Sequence, residues 1–164
     1  MSKENADKEQ KRSFKREVFS WIACIVVTIL LTEFILNFVI INANIPSGSM
    51  ENTIMTNDKL IALRTSYWFN DPKRGDIIIF KYPDDETEWF IKRVIALPGE
   101  TVLVKDGKVY INGSKKALSE PYIKEEPVED FGPYKVPKNG YFVMGDNRNN
   151  SNDAREWETH YVSR

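Results

Sequence analysis

Hydroxyl groups are concentrated in a short segment at residues 45–53, where Ser47 and Ser49 flank a glycine. Pro46 and Gly48 favour a sharp turn, and a serine on such a turn can be presented to a substrate as a nucleophile. The same composition is also typical of an ordinary serine-rich turn. Taken alone, the segment favours that purely structural interpretation.

A lysine lies on an apolar face of the segment at residues 89–100. Because alternate side chains of a strand share a face, Lys92 is expected beside Phe90, Val94 and Ala96. Desolvation there would lower the pKa of the ammonium from its reference of ~10.4 toward neutrality, and a neutral lysine can take a proton from a serine. The alternative, usual for lysines in strands, is a solvated face on which Lys92 extends into water.

Polar residues dominate the segment at residues 145–157, which follows a short apolar run. Side chains occur there at roughly the offsets of a calcium-binding EF-hand loop, namely Asn147, Asn149, Ser151, Asp153 and Glu158. Calcium is disfavoured because Asn152 stands where that loop needs glycine, and because Arg148 and Arg155 oppose a cation. We interpret residues 145–157 as a hydrogen-bonded brace that positions catalytic groups.

The composition excludes several common chemistries. The chain has 164 residues with one histidine and one cysteine, too few for a structural Cys/His zinc site or an intramolecular disulfide. A Ser-His-Asp or Cys-His enzyme would depend entirely on His160. The net charge of −1 gives no electrostatic case for nucleic-acid binding. We therefore expect no metal, no cofactor and no nucleic-acid partner.

The first quarter of the chain has the pattern of a membrane anchor. All eight glycines and all eight prolines lie between Pro46 and Gly145. Residues 18–41 contain one charge, Glu33, and as a helix would cross a ~30 Å hydrocarbon core. A core helix of this length would carry a polar face, and a cleaved signal peptide would have a shorter apolar region and a small-x-small site. We predict an uncleaved transmembrane helix at 18–41.

Charged residues beside the anchor predict its orientation. Lysines and arginines precede it closely, whereas the first cation after it is Lys59. Because positive charge is retained in the cytoplasm, we predict a disordered cytoplasmic tail at 1–17 and an extracytoplasmic domain at 42–164. Glu33 and Asn37 share a helix face. The acid indicates a partner or a wet cavity, or else a local arrangement in which Glu33 is protonated or bonded to Asn37.

Residues 42–164 have the sequence pattern of a β-rich domain. Asp106-Gly107 between alternating apolar residues predicts a tight hairpin. The proline-rich residues 120–137 predict an extended loop. Residues 67–69 (Tyr-Trp-Phe) form either an aromatic belt at the membrane interface or a part of the core. The predicted strands are 59–63, 76–82, 89–97, 101–105, 108–112 and 141–144.

Four motifs, in order and behind a single anchor, resemble those of type I signal peptidases. They are Pro-Ser-Gly-Ser-Met at 46–50, Arg-Gly-Asp-Ile at 74–77, Lys-Arg-Val-Ile-Ala-Leu-Pro-Gly-Glu at 92–100 and Gly-Asp-Asn-Arg-Asn-Asn-Ser-x-Asp-Ala-Arg at 145–155. The versions present here are similar to those of low-GC Gram-positive bacteria. The resemblance extends over nearly the whole chain from Val18.

This resemblance implies a mainly β fold, an antiparallel catalytic domain like that of signal peptidases and LexA-type repressors, preceded by one transmembrane helix. It implies a membrane-anchored serine endopeptidase that cleaves signal peptides from secretory preproteins after small residues at −1 and −3. Ser49 would be the nucleophile and Lys92 the general base, so no histidine is needed. The enzyme would act as a monomer in the cell membrane.

The same resemblance assigns roles to further residues. The Ser49 backbone N–H and the Ser47 hydroxyl would hold the oxyanion. Ser151 would hydrogen-bond and orient the Lys92 ammonium. Asp153 and Arg155 would form the supporting ion pair, with Arg93 close by, and Asp146 would be a further supporting group. The substrate pockets for the small residues would be lined by Ile45, Phe90 and Ile91.

The sequence departs from the family pattern at a few positions. Ala154 replaces a frequent serine and Ala96 a frequent glycine, and neither change removes a proposed catalytic group. The chain stops at Arg164, where relatives continue into a final strand, so we expect an unpaired sheet edge. One alternative function is a non-catalytic, membrane-anchored β domain that binds exported proteins. It predicts that Ser49 and Lys92 lie apart or that Lys92 is exposed. A LexA-type self-cleaving regulator would need a DNA-binding module, which this sequence does not show.

Overall fold

The computed structural model describes the backbone of residues 3–164 and the side chains of residues 14–164. The chain divides into two compact units. One contains the N-terminal helix up to Ile41 together with residues 63–65. The other contains residues 42–62 and 66–164 and holds all of the residues proposed above for chemistry.

The N-terminal unit is a long helix. Helix α1 spans Lys3–Phe34 and continues into a π-helical turn at Ile35–Val39. Within it, Phe14–Val39 is long and apolar enough to cross a membrane. The prediction of a disordered tail at 1–17 is wrong from residue 3 onward. Residues 3–17 are mostly good helix formers without glycine or proline, and they extend the apolar helix instead of ending before it.

The polar pair in this helix adopts the local arrangement. The Asn37 side-chain amide donates to the Glu33 carboxylate at 3.0 Å and to the Glu33 backbone carbonyl at 2.8 Å. The Glu33 carboxylate therefore has a hydrogen-bond donor within the helix itself.

Within the described residues nine strands follow, arranged in three sheets, and the two larger sheets are antiparallel. They are β1 (Ile40–Asn44), β2 (Lys59–Leu63), β3 (Ile77–Tyr82), β4 (Asp85–Ala96), β5 (Thr101–Lys105), β6 (Lys108–Ile111), β7 (Phe131–Lys135), β8 (Gly140–Met144) and β9 (Val162–Ser163). Strands β1 and β2 form one sheet, the order β3-β4-β8-β9 forms the second, and the order β6-β5-β7 forms the third. The mainly β fold class and the six predicted strands are confirmed.

Three of the nine strands were not predicted from the sequence. Strand β1 begins at Ile40, so the helical part of the chain ends at Val39, two residues before the end of the predicted span at 18–41. Strand β7 lies within the predicted extended loop at 120–137 and pairs with β5, since Thr101 lies opposite Lys135 and Val102 opposite Tyr134. Strand β9 pairs with β8, with Val162 opposite Tyr141. The sheet edge that was expected to be unpaired is thus covered over two residues.

The predicted hairpin forms between β5 and β6. Lys105 lies opposite Lys108, and the two residues between them, Asp106 and Gly107, both have positive φ (49° and 75°). A two-residue turn with this geometry matches the twist of the strands, and aspartate and glycine tolerate it best.

The β3–β4 hairpin separates two apolar regions. Residues directly opposite each other share a face, and one face of this hairpin carries Ile78, Phe80, Val94 and Lys92. That face is buried in the main core, where Trp157 packs against Phe80. The other face carries Ile77, Ile79 and Ile91. It contacts a smaller core formed by Ile45, Met50 and Ile54, which surrounds the Ser49 turn.

The three aromatic residues at 67–69 were interpreted either as a belt at the membrane interface or as a part of the core, and each interpretation fits some of them. Tyr67 is half-buried against the main core, and its hydroxyl donates to Asp76 at 3.2 Å. Trp68 and Phe69 are 59% and 89% exposed. Only these two side chains remain available for a membrane interface.

Candidate active site

Ser49 and Lys92 form a buried pair. The Lys92 ammonium nitrogen lies 2.8 Å from the Ser49 hydroxyl oxygen, although the residues are 43 positions apart. Only 6% of Ser49 and 4% of Lys92 is exposed. The hydrogen bond is short enough for direct proton transfer between a nucleophile and its base.

Burial changes the acidity of Lys92. Desolvation is the largest cause, and it lowers the pKa of Lys92 from 10.5 to about 8. The Asp153 carboxylate raises this pKa and the Arg155 guanidinium lowers it, both to a smaller extent. The ring centroid of Phe90 lies 5.2 Å from the ammonium, on the shared face that strand alternation predicted. Lys92 therefore does not extend into water, and the alternative of a solvated face is wrong.

The turn that carries Ser49 is held from both sides. Met50 is fully buried beneath it, and the Ile54 N–H donates to the Met50 carbonyl at 2.8 Å. Above it, Asn147 donates its backbone N–H to the Ser49 carbonyl at 3.0 Å and its side-chain amide to the Gly48 carbonyl at 3.0 Å. Asn147 therefore holds the Ser49 turn from within the segment predicted to act as a brace. The sequence did not identify its acceptors, because nothing local indicates which carbonyls its amide meets.

Ser47 lies close to the nucleophile. Its hydroxyl oxygen is 3.4 Å from that of Ser49, and either group can donate. When a serine attacks a carbonyl carbon, negative charge develops on the carbonyl oxygen. A second hydroxyl this close to the attacking oxygen is in a position to donate a hydrogen bond to that charge. This placement is compatible with the oxyanion role that the resemblance implies for Ser47 and the Ser49 N–H.

Ser151 does not make the bond expected of it. Its hydroxyl is buried, and no hydrogen-bond partner for it lies among the described residues. Ser151 instead lies over Gly145, where a Cβ atom would collide with the Ser151 hydroxyl and the Ser49 carbonyl. Glycine at 145 therefore lets residues 145–157, the brace, approach the Ser49 turn. The expected Ser151–Lys92 hydrogen bond is absent, and the Lys92 ammonium is bonded to Ser49.

Arg93 and Asp146 form a buried bidentate ion pair. The guanidinium donates to both carboxylate oxygens at 2.8 and 2.6 Å, and to the Gly75 carbonyl at 2.7 Å. Asp146 also accepts from the Thr53 hydroxyl at 2.5 Å. Asp146 therefore links β4, next to Lys92, with the end of the Ser49 turn. From the sequence, Arg93 and Asp146 were predicted only as supporting charged groups, and their pairing with each other was not predicted.

Asp153 and Arg155 form the second buried pair, as the resemblance implied. The guanidinium donates to the carboxylate at 2.8 and 2.9 Å. Asp153 also accepts from the Gly145 N–H at 2.9 Å, and Arg155 donates to the Arg148 carbonyl at 2.6 Å. These bonds close the brace on itself and hold a carboxylate and a guanidinium near Lys92.

A segment not assigned from sequence reinforces the brace. Residues 120–128, which we call the strap, begin with Glu120, whose carboxylate accepts two bonds from Arg148 at 3.0 and 2.6 Å. Both side chains of this pair are at most 6% exposed. Arg148 also donates to the Gly145 carbonyl at 3.0 Å. The Tyr122 ring stacks on the Arg93 guanidinium at 3.9 Å. The strap therefore contacts both the brace, through Arg148, and the Arg93–Asp146 pair, through Tyr122.

The Ser49–Lys92 pair opens into a cleft of about 430 Å³. Its walls include Ile45, Phe90 and Ile91, the three residues predicted to contact substrate. The structure adds Ile79 and Trp89, which sequence reasoning did not assign. The apolar side chains give the cleft a surface suited to an apolar peptide.

One edge of strand β4 is free along this cleft. Strand β3 pairs with β4 over Trp89–Arg93, whereas β8 pairs with it only from Arg93 to Ala96. Among the described residues, no strand covers the β8-side edge of residues 89–92. A free strand edge can bind an extended peptide by main-chain hydrogen bonds.

Three of the five side chains considered as calcium ligands have other partners. Asn147 and Asn149 donate their amides to the carbonyls of Gly48 and Glu126, each at 3.0 Å, and Asp153 is paired with Arg155. His160 contacts the Ala154 carbonyl at 2.7 Å and packs against Phe131. These contacts explain the polar brace as a structural network.

Comparisons with known proteins found similar sequences and solved structures. A family model described as "Signal peptidase, peptidase S26" matches residues 18–163. "Probable signal peptidase I-2" of Synechocystis sp. is 45% identical over 137 residues, which cover 80% of this chain and 62% of that protein. "Signal peptidase I" of Bacillus amyloliquefaciens is 38% identical over 157 residues, 90% of this chain and 82% of that protein. A crystal structure of a signal peptidase I from Enterococcus faecalis is 37% identical, with a TM-score of 0.49, and covers 57% of this chain and 91% of that chain.

Proposed function

The chain belongs to the signal peptidase family, peptidase S26, and from that premise we propose that it is a membrane-anchored serine endopeptidase that removes signal peptides from secretory preproteins. The observation that carries the proposal is the 2.8 Å contact between the buried Ser49 hydroxyl and the buried Lys92 ammonium at the floor of a cleft. The chain spans 62% of the length of the Synechocystis relative, so the activity of the whole protein is a proposal.

In the proposed reaction, the neutral amine of Lys92 takes the proton of the Ser49 hydroxyl as its oxygen attacks the scissile carbonyl carbon. The negative charge on the carbonyl oxygen is held by the Ser49 N–H and the Ser47 hydroxyl. The C–N bond then breaks, and the Lys92 ammonium protonates the leaving amine. Water hydrolyses the resulting ester with Lys92 again acting as base, which restores Ser49.

The charged groups around the pair support Lys92 indirectly. We assign Arg93 and Asp146 to holding β4 against the Ser49 turn, and Asp153 and Arg155 to holding the brace. Ser151 is 6% exposed and unpartnered, so it could receive the lysine when the Ser49 bond breaks during reaction. Its orienting role is thus proposed for the reacting state.

The substrate is proposed to bind as an extended strand along the free edge of β4. Ile45, Phe90 and Ile91 would line pockets for the small side chains at −1 and −3. An extended peptide presents these two side chains on the same face, so one apolar wall can select both. Secretory preproteins with an Ala-x-Ala-like cleavage site are the proposed substrate class.

The proposed location is the cell membrane, with one span and the N-terminus in the cytoplasm. The orientation rests on the excess of lysine and arginine before the apolar helix. The catalytic domain would then be extracytoplasmic and act as a monomer on a preprotein held at the bilayer. The exposed side chains of Trp68 and Phe69 are candidates for contact with the interface.

The alternative of a non-catalytic binding domain is disfavoured by this geometry. It predicted that Ser49 and Lys92 lie apart or that Lys92 is exposed, and neither is the case. A self-cleaving regulator would additionally need a DNA-binding module.

Cleavage of a preprotein by the purified full chain in detergent tests the proposal. Ser49→Ala should reduce kcat/KM by at least about 10³-fold, because it removes the nucleophile. Lys92→Met should cause a similar loss, since a thioether cannot accept the proton. Ser66→Ala and Lys81→Met are the matched controls and should retain parental activity. Undiminished cleavage by Ser49→Ala would show that Ser49 is not the nucleophile.

A further inference from the structure

We propose that Tyr122 is a positioning residue that holds the Ser49 turn against strand β4 and thereby keeps Ser49 within reach of Lys92. The inference rests on the proposed function, because it concerns the geometry of the same catalytic pair. Tyr122 lies in the strap and does not belong to the wall of the cleft. It would therefore act through the residues beside the pair and not through contact with the substrate.

Contacts on both sides of Tyr122 fix the strap in place. Before it, the buried pair of Glu120 and Arg148 joins the strap to the brace. After it, the Lys124 N–H donates to the Asp146 carbonyl at 3.0 Å. The Tyr122 hydroxyl donates to the Glu120 carboxylate at 3.0 Å, and since burial raises the pKa of Tyr122, this hydroxyl stays protonated and remains a donor. Tyr122 therefore has a fixed position between the brace and the Ser49 turn.

The ring of Tyr122 contacts strand β4 directly beside Lys92. The guanidinium carbon of Arg93, the next residue of the strand, lies 3.9 Å from the ring centroid. Only 9% of Arg93 is exposed, so little water competes with the attraction between the cation and the face of the ring. The ring therefore holds one side of the support, the side formed by β4.

The backbone of Tyr122 contacts the other side, the end of the Ser49 turn. Asn52, three residues after Ser49, donates its side-chain amide to the Tyr122 carbonyl at 3.0 Å and to the Ile123 carbonyl at 3.4 Å. Asn52 has a φ of 86°, in the left-handed region, which asparagine tolerates better than most residues. One residue of the strap thus contacts β4 with its ring and the Ser49 turn with its carbonyl.

This double contact matters for catalysis because Ser49 and Lys92 belong to the two segments that it joins. Their side chains meet at 2.8 Å only while the turn and the strand keep their relative position. A misplacement of about 1 Å can lower a catalytic rate by about 100-fold, even when the mutation is far from the reacting atoms. Loss of one contact among several should allow a smaller displacement. We therefore expect a smaller decrease in kcat, and no change in KM.

The test measures kcat and KM separately for cleavage of a preprotein by the full chain in detergent. Tyr122→Leu removes the aromatic face but keeps an apolar side chain, and it should lower kcat by about tenfold with KM unchanged. Tyr122→Phe should keep most of the parental kcat, since phenylalanine retains the ring over Arg93. Tyr110→Leu, which changes a partly buried tyrosine of β6, is the matched control and should behave as the parent does.

A second variant removes the other contact and leaves the ring in place. Glycine adopts a positive φ without strain, so Asn52→Gly removes only the amide donor. It should lower kcat to a similar extent, and the double variant with Tyr122→Leu should lose less than the product of the two effects, because both changes break the same connection. Asn57→Gly, at another exposed asparagine with a positive φ (71°), is its control and should leave kcat unchanged.

Hydrogen exchange separates this inference from the proposed function. The N–H groups of Thr53 and Ile54 donate to the Met50 carbonyl within the Ser49 turn. Both should exchange faster in Tyr122→Leu and in Asn52→Gly than in the parent, while the N–H groups of β8 should not. If the parent cleaves no preprotein, the peptidase assignment fails, and the exchange rates still decide whether Tyr122 holds the turn.

Several results would overturn the proposal. They are a parental kcat in Tyr122→Leu, a change in its KM instead of kcat, an equal loss of kcat in Tyr122→Phe, and unchanged exchange at Thr53 and Ile54. If Tyr122→Leu does not fold, Asn52→Gly decides, because its side chain is exposed and its removal leaves the core intact. Parental kcat and parental exchange in Asn52→Gly would then overturn the proposal.

Discussion

Replacing Lys92 by methionine should abolish activity and yet stabilise the fold at neutral pH. The folded protein buries an ammonium whose pKa falls from 10.5 to about 8, mainly through desolvation. A lowered pKa means that the folded state binds this proton less tightly than the unfolded state does. Below about pH 8 both states are protonated, and the folded state bears the full cost of the buried charge.

The size of this cost follows from the two pKa values. They differ by about 2.5 units, which corresponds to about 3 kcal/mol at 1.36 kcal/mol per unit. Methionine fills nearly the same volume without the charge, but it loses the 2.8 Å hydrogen bond to Ser49, worth about 1 kcal/mol. Lys92→Met should therefore be more stable at pH 7 by about 2 kcal/mol. For a domain of this size the melting temperature should rise by about 4–8 °C.

Thermal unfolding of the full chain in detergent, followed by near-ultraviolet circular dichroism at pH 7 and pH 9.5, measures this effect. Between pH 8 and pH 10.5 the unfolded state retains the proton that the folded state has lost, so stability from this group rises with pH. At pH 9.5 the difference in stability between Lys92→Met and the parent should therefore be smaller than at pH 7 by about 2 kcal/mol. Lys81→Met, which removes an exposed lysine of β3, should show no such pH-dependent difference.

A contrary result is easy to recognise. The result would be that Lys92→Met has a lower melting temperature than the parent at pH 7, by the same difference as at pH 9.5. Burial of the ammonium would then not destabilise the folded state. The assignment of Lys92 as a base whose pKa is lowered by burial would then lose its physical basis.

Two further predictions follow from the site. In the parent, log kcat/KM should rise with unit slope and level off above about pH 8, since only neutral Lys92 can accept the serine proton; a flat profile from pH 6 to pH 9 would contradict this. Glu120→Gln should lower the free energy of unfolding by about 3–5 kcal/mol, because it leaves the Arg148 guanidinium buried without its counter-charge. Asp71→Asn, which breaks the exposed pair with Arg164, is the control in the same denaturant titration and should have a much smaller effect. If both variants lost the same free energy of unfolding, the buried Glu120–Arg148 pair would contribute no more to stability than the exposed pair does.

Local sequence patterns were sufficient for the elements whose determinants are close together in the chain. The apolar helix follows from one long run without glycine or proline, and the β5–β6 hairpin follows from Asp106-Gly107 between alternating residues. The low polarity around Lys92 was visible because strand alternation places Phe90 and Val94 on its face. Strand β7 was missed since Phe131-Gly-Pro lacks a strand pattern, and its pairing with β5 is a tertiary contact.

The sequence by itself determined the types of reactive residue, their order along the chain and the apolar environment of the base. Only the tertiary structure decided which of them meet. It placed Ser49 against Lys92, left Ser151 without a partner, and joined Glu120 to Arg148 and Asn147 to the Ser49 turn. The physical reason is that a hydrogen bond or ion pair depends on positions to within a fraction of an ångström. Those positions are set by the packing of strands from distant parts of the chain, and no local pattern encodes them.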